Sequence, residues 1–162
     1  MHSKIFQISD KPISKDEYVD PSTYYDNSGD FADYIGDEIT GEDRKDALNS
    51  LYRLIKDVFR LVRPGIYAYK GEEAMKLFKQ SWADGIKAMA ASLNPDNLFH
   101  DQNLFKIRCL TKESHLRTGF RVHIENWAGG TANPFGELFE YADSQLKTGD
   151  RIYVGAIIDY HF

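Results

Sequence analysis

A single cysteine, Cys109, stands in 162 residues, so no internal disulfide can form and no thiolate cluster of the zinc-finger kind can be anchored. Such poverty in cysteine suits a reducing compartment. Nowhere do about 18 apolar residues follow one another, which predicts no membrane-spanning helix. The opening residues, Met1 to Asp10, lack the apolar run and small-residue cleavage site of a secretory leader. Internal repeats, low-complexity tracts and linker-like stretches are also missing. Together these absences predict a cytoplasmic protein of one domain, residues 1–162, with no membrane association and no cofactor.

The composition, 42% hydrophobic and 28% charged, is that of a chain able to build a core. At this length a fold withdraws roughly 70% of its unfolded surface from water. The net charge of −5 is unevenly placed. Residues 1–43 hold eleven Asp and Glu against three Lys, a balance of −8 that leaves +3 for the remainder. An acidic surface repels phosphate backbones, so nucleic acid is an unfavoured partner.

Lys4 to Ser9 reads as a strand closed by Asp10 and Lys11-Pro12. Residues 14–41 form an acidic arm rich in tyrosine, in which Ser28 or Asp30 would cap a short helix over Phe31 to Ile35. Leu48, Leu51, Ile55, Val58 and Val62 recur at helical spacing, predicting a helix from Glu42 to Val62 that Pro64-Gly65 stops. A strand over Ile66 to Tyr69 precedes a second helix, about Glu72 to Leu93, with Met75, Phe78, Trp82, Ile86, Met89 and Leu93 on one apolar stripe. Alternation in 105–109 and again in 120–124 predicts an antiparallel hairpin. Asn133-Pro134 would open a third helix to about residue 147, with Phe135, Leu138, Phe139, Ala142 and Leu146 inward. Arg151 to Phe162 is apolar on both faces, as a central strand is. The expected fold is therefore α+β, a mixed and largely antiparallel sheet of four or five strands covered by three main helices.

Four groups of residues could carry function. His123 and Glu125 on the hairpin, and Asp159 and His161 on the last strand, each place an imidazole and a carboxylate on one strand face. If the strands were neighbours, the four would suit acid/base catalysis or, through His123, His161 and Asp159, a divalent metal. The opposing reading is a solvated strand face. Cys109 could be a nucleophile activated by His115 or His123, but its phase with Phe105 and Ile107 favours a buried thiol. The glycine-containing turn from Trp127 to Pro134 could hold an anion on backbone amides, or could simply turn the chain. Lastly, the acidic arm offers Asp16, Glu17, Tyr24, Tyr25, Asp30 and Asp33 as a contact surface for a protein partner or for a second copy of the chain.

Lys4-Ile5-Phe6-Gln7-Ile8-Ser9 with Lys11-Pro12-Ile13, and the ending Tyr153 to Phe162, resemble a group of uncharacterised bacterial proteins. The resemblance implies that first and last strands pair; it implies no site. The favoured expectation is a non-catalytic interaction or regulatory protein acting through its arm, and the alternative is a small enzyme using His123, Glu125, Asp159 and His161.

Overall fold

The computed structural model describes residues 2–25, 31–100, 102–103, 119–127 and 131–161. Its longest strand, β7 (Arg151–His161), is buried on both faces along most of its length and takes neighbours on both edges. On one edge lies β1 (His2–Ser9), antiparallel, with His2 opposite His161 and Ile5 opposite Ile158. The other edge is shared: β4 (Ile66–Tyr69) pairs with the start of β7 and β2 (Tyr34–Glu38) with its end. β3 (Phe59–Arg63) pairs outside β4. Beyond β1 come β5 (Arg121–Ile124), which runs parallel to it, and the two-residue β6 (Asn133–Pro134). The sheet is mixed and holds seven strands among the described residues, which confirms an α+β fold but exceeds the four or five strands expected.

The extra strands come from segments with competing signals. The first helix, α1 (Gly41–Ile55), ends seven residues earlier than expected. Val58 and Val62 fall in helical phase with Ile55, yet Phe59 to Arg63, Pro64-Gly65 and Ile66 to Tyr69 also read as two strands around a turn, and tertiary pairing selects that reading. Gly65 has φ +77°, as the third residue of a proline-led type II turn requires. Phe31 to Ile35 does not form the expected helix either, since β2 begins at Tyr34; its caps Ser28 and Asp30 lie outside the described residues, as does the 105–109 half of the hairpin. Asn133-Pro134 belongs to β6, so the last helix, α3, spans only Glu137–Gln145.

Two layers cover the sheet. On one face α1, α3 and the start of α2 (Glu72–Ala91) bury Leu51, Ile55, Met75, Leu138 and Ala142 against Phe6, Ile8, Val122, Ile152 and Ile157. The further stripe of α2, from Phe78 to Met89, is only half-buried, and Leu93 lies past the end of the helix; the Phe78 ring is tilted against that of Phe139, centroids 4.6 Å apart. The arm covers the opposite face. There Tyr24, Ala32 and Ile35 close over Ile5, Ala156, Ile158 and Tyr160.

One polar side chain ties these layers together. Gln7, 2% exposed, donates to the Glu17 carbonyl (3.0 Å) and to Glu125 Oε1 (3.0 Å). Its Oε1 accepts from Val19 N (3.1 Å) and Ala156 N (2.9 Å). Between the Phe6–Ile157 and Ile8–Val154 pairs β7 carries one extra residue, a bulge that frees the Ala156 amide from the ladder. At Gly155 a Cβ would lie 2.8 Å from Gln7 Cδ and 2.9 Å from Ile13 Cδ1, so the bulge needs glycine. Replacing Gln7 with Met keeps the volume and strands the Ala156 and Val19 donors. At about 1–3 kcal/mol for each unsatisfied buried group, Q7M should lose about 2–6 kcal/mol in urea unfolding, against about 0.5 kcal/mol for a typical surface replacement.

Candidate functional site

The β1, β2 and β7 strands end together beside the first turns of α1, and the space between them is an open groove of about 610 Å³. Its walls carry Asp37 and Glu38 from β2, Asp43 and Asp46 from α1, and Asp159 from β7. Only His2 and Lys4 bring basic atoms to it. Spacing explains the α1 contribution, because positions 43, 46, 47 and 50 share one helix flank. The local fold explains the rest: Asp159 and His161 share the sheet face of Lys4 and Phe6 by register.

At the rim, His2 Nδ1 lies 2.8 Å from Asp159 Oδ2, and His161 Nδ1 lies 3.5 Å from Asp33 Oδ2. The two imidazoles meet edge to face, with centroids 5.3 Å apart. Two imidazoles and two carboxylates therefore do gather here, but with His2 and Asp33 in the places expected for His123 and Glu125. Among the described residues no group of three or more His, Cys, Asp or Glu is set to hold a metal ion. His2 escaped the sequence reading because nothing in its own neighbourhood marks it; only the β1–β7 register carries it to His161.

His123 and Glu125 stand elsewhere, which corrects the adjacency expected of their strand. β5 neighbours β1 and not β7, with His123 opposite Gln7, so His123 points to the arm side of the sheet while Asp159 and His161 point to the helix side. Glu125 accepts from Gln7. His123 is buried, its ring set edge to face with that of Tyr24 at 5.9 Å between centroids, and its Nδ1 has no hydrogen-bond partner among the described residues. Burial lowers its pKa, with Glu125 opposing weakly.

The arm residues are likewise dispersed. Asp16 and Glu17 sit in a 3-10 turn, Lys15–Glu17, where Glu17 Oε2 accepts from Ser14 N and Oγ; hydrogen bonds from Ser14 hold both carboxyls below their usual range. Tyr24 is 2% exposed, which corrects its assignment to a contact surface: the ring is core, and burial raises its hydroxyl pKa. Tyr25 and Tyr34 are exposed. Asp33 lies by His161, about 17 Å along β1 from the Gln7 end where Glu17 sits. Asp30, Cys109, His115 and Gly129-Gly130 lie outside the described residues.

No described helix is long and apolar enough to cross a membrane. Comparisons with protein-family models, with curated proteins and with solved structures return no match to this chain.

The state of His123 yields a test. Its pKa is lowered from the ordinary 6.5, so the unfolded chain takes up a proton first as the pH falls. Stability should be constant with respect to this group above about pH 6.5 and should decline below it, through the folded-state pKa. His123→Phe keeps a ring against Tyr24 and removes the titration. Between pH 7.5 and 5.5 the melting temperature of H123F should fall less than that of the parent; parallel curves would contradict a buried neutral imidazole.

Proposed function

We propose that the chain is a non-catalytic binding protein whose acidic groove receives a basic segment of a protein partner. The observation that carries this reading is the concentration of carboxylates from three separate elements, β2, α1 and β7, on one open concave surface, with Tyr34 exposed at the start of β2. Unpaired like charges repel one another and disfavour the bare fold. A cationic ligand relieves that repulsion, which gives the arrangement a purpose that packing does not. Exposed tyrosine adds contact area at small entropy loss. The surface differs from the one read in sequence: it keeps Asp33 and the C-terminal part of the arm, adds Asp43, Asp46 and Asp159, and leaves Tyr24 in the core.

The experiment is a titration of a fluorescent lysine- and arginine-rich peptide into the parent and into a D37N/D43N/D46N variant. All three positions are exposed, so melting should change little. Binding should weaken as salt rises, because screening at 0.15 M already acts within about 8 Å. The triple variant should bind at least tenfold more weakly. Equal affinity in the two proteins would sink the proposal.

A second reading rests on the His2–Asp159 contact. A carboxylate that orients an imidazole at the edge of a cleft is a general acid/base unit, so the groove could also support hydrolysis. Turnover in a panel of ester, phosphodiester and glycoside substrates that D159N abolishes at unchanged melting temperature would favour it; no turnover by the parent leaves binding as the function.

A further inference from the structure

A second groove, of about 560 Å³, opens at the other end of β7, and its chemistry is the reverse of the first. Tyr18 comes from the arm, Arg44 from α1, Arg63 from the end of β3, and Arg151 and Tyr153 from the start of β7. No carboxylate lines it, although the chain has 25 acidic residues against 20 basic. Ile13, Leu48, Ile66 and Val154 supply apolar floor.

The guanidinium groups are conspicuously unspent. Arg44 is fixed by Nη2, which donates to the Val154 carbonyl at 3.2 Å and to Tyr18 Oη at 3.5 Å, with its carbon 5.6 Å above the Tyr18 ring. Its Nη1 is sealed from solvent and has no partner. Among the described residues Arg44, Arg63 and Arg151 make no ion pair, so three cations face one groove with no described carboxylate paired to them. The sealed Nη1 is out of a ligand's reach, but three guanidinium groups gathered on one open groove repel one another, and an anionic ligand relieves that repulsion.

We propose that this groove binds a small organic phosphate of nucleotide size. The volume lies within the usual range of about 300–1,000 Å³ for small-molecule sites. Arginine forks match phosphate oxygens in pairs of parallel hydrogen bonds, and Arg63 and Arg151 approach from two separate elements, which suits more than one phosphate. Tyr18 and Tyr153 with the apolar floor receive a flat or apolar body. The site lies apart from the acidic groove and stands independently of the function proposed for it.

The test is calorimetric titration of the full chain with ATP, tripolyphosphate and adenosine at 0.15 M salt. ATP should bind, tripolyphosphate about tenfold more weakly, and adenosine too weakly to measure. Since a charge-assisted hydrogen bond carries roughly a tenfold change in affinity, R63A/R151A should lose at least tenfold for ATP. Both side chains are exposed, so this variant should melt as the parent does, which separates lost binding from lost folding. No ATP binding by the parent, or equal ATP affinity in R63A/R151A, overturns the site. Tripolyphosphate binding as tightly as ATP overturns the organic ligand.

Discussion

The bulge on β7 is the constraint around which this fold is arranged. A strand of eleven residues with neighbours on both edges would ordinarily spend every backbone amide in ladders, leaving nothing to attach the layer above it. One extra residue between Val154 and Ile157 releases the Ala156 amide, and Gln7 takes it. Because the same amide side chain also holds Glu17, Val19 and Glu125, the arm, the parallel strand β5 and the central pair are fastened at one buried point. The fastening leaves none of Gln7's hydrogen-bonding groups idle, which is the condition under which a buried polar group specifies a structure without weakening it. Gly155 belongs to the same device, since any Cβ there would displace the glutamine.

This device also marks where reading the sequence stops. Gln7 alternates with Phe6 and Ile8, and alternation assigns it to the solvent face; no local signal says that residues 14–25 will return to cover that face. The apolar residues were more legible. The strand character of Ile5 to Ile8 and of Ile152 to Ile158, the inward positions Leu48, Leu51 and Ile55, and the inward set of α3 all follow from period alone. Val58 to Arg63 failed because apolar residues spaced for a helix also satisfy a strand over so short a stretch, and the decision belonged to β4, which offers a free edge. Pairing order was the least legible of all. His123 and His161 each have a carboxylate two residues away, yet the parallel β1–β5 arrangement sends one pair to each side of the sheet, a long-range outcome that no tripeptide encodes. His2 was invisible for the converse reason: its importance comes wholly from its register with His161.

The charge asymmetry seen in composition acquires a geometry in the fold. The acidic first segment does not form a uniformly charged flap. Part of it is consumed locally, as when Glu17 satisfies Ser14, and part of its aromatic content is core, as with Tyr24. What remains negative, Asp33, Asp37 and Glu38, is brought by β2 to the end of β7, where α1 and Asp159 add to it. Arg151, at the opposite end of β7, stands eight residues from Asp159. At about 3.3 Å per residue that is some 26 Å, about three times the Debye length at 0.15 M salt, so these two charges scarcely act on each other; on α1, by contrast, Asp43 and Arg44 are adjacent and differ only in the flank they occupy.

Helix α1 is what keeps the two grooves separate in composition as well as in place. Its buried stripe, Ala47, Leu48, Leu51 and Ile55, fixes the rotation of the helix on the sheet. Once that rotation is set, the flanks are determined: Asp43, Asp46 and Ser50 look toward the His2 end, and Arg44 looks toward Tyr18 and Val154. A rotation by one residue, 100°, would carry Arg44 away from the Val154 carbonyl and expose Leu51 to water. The core therefore enforces the polarity of the surface: hydrophobic phase decides which charge each groove receives, and a substitution that repacked α1 would be expected to alter both grooves together although it touched neither.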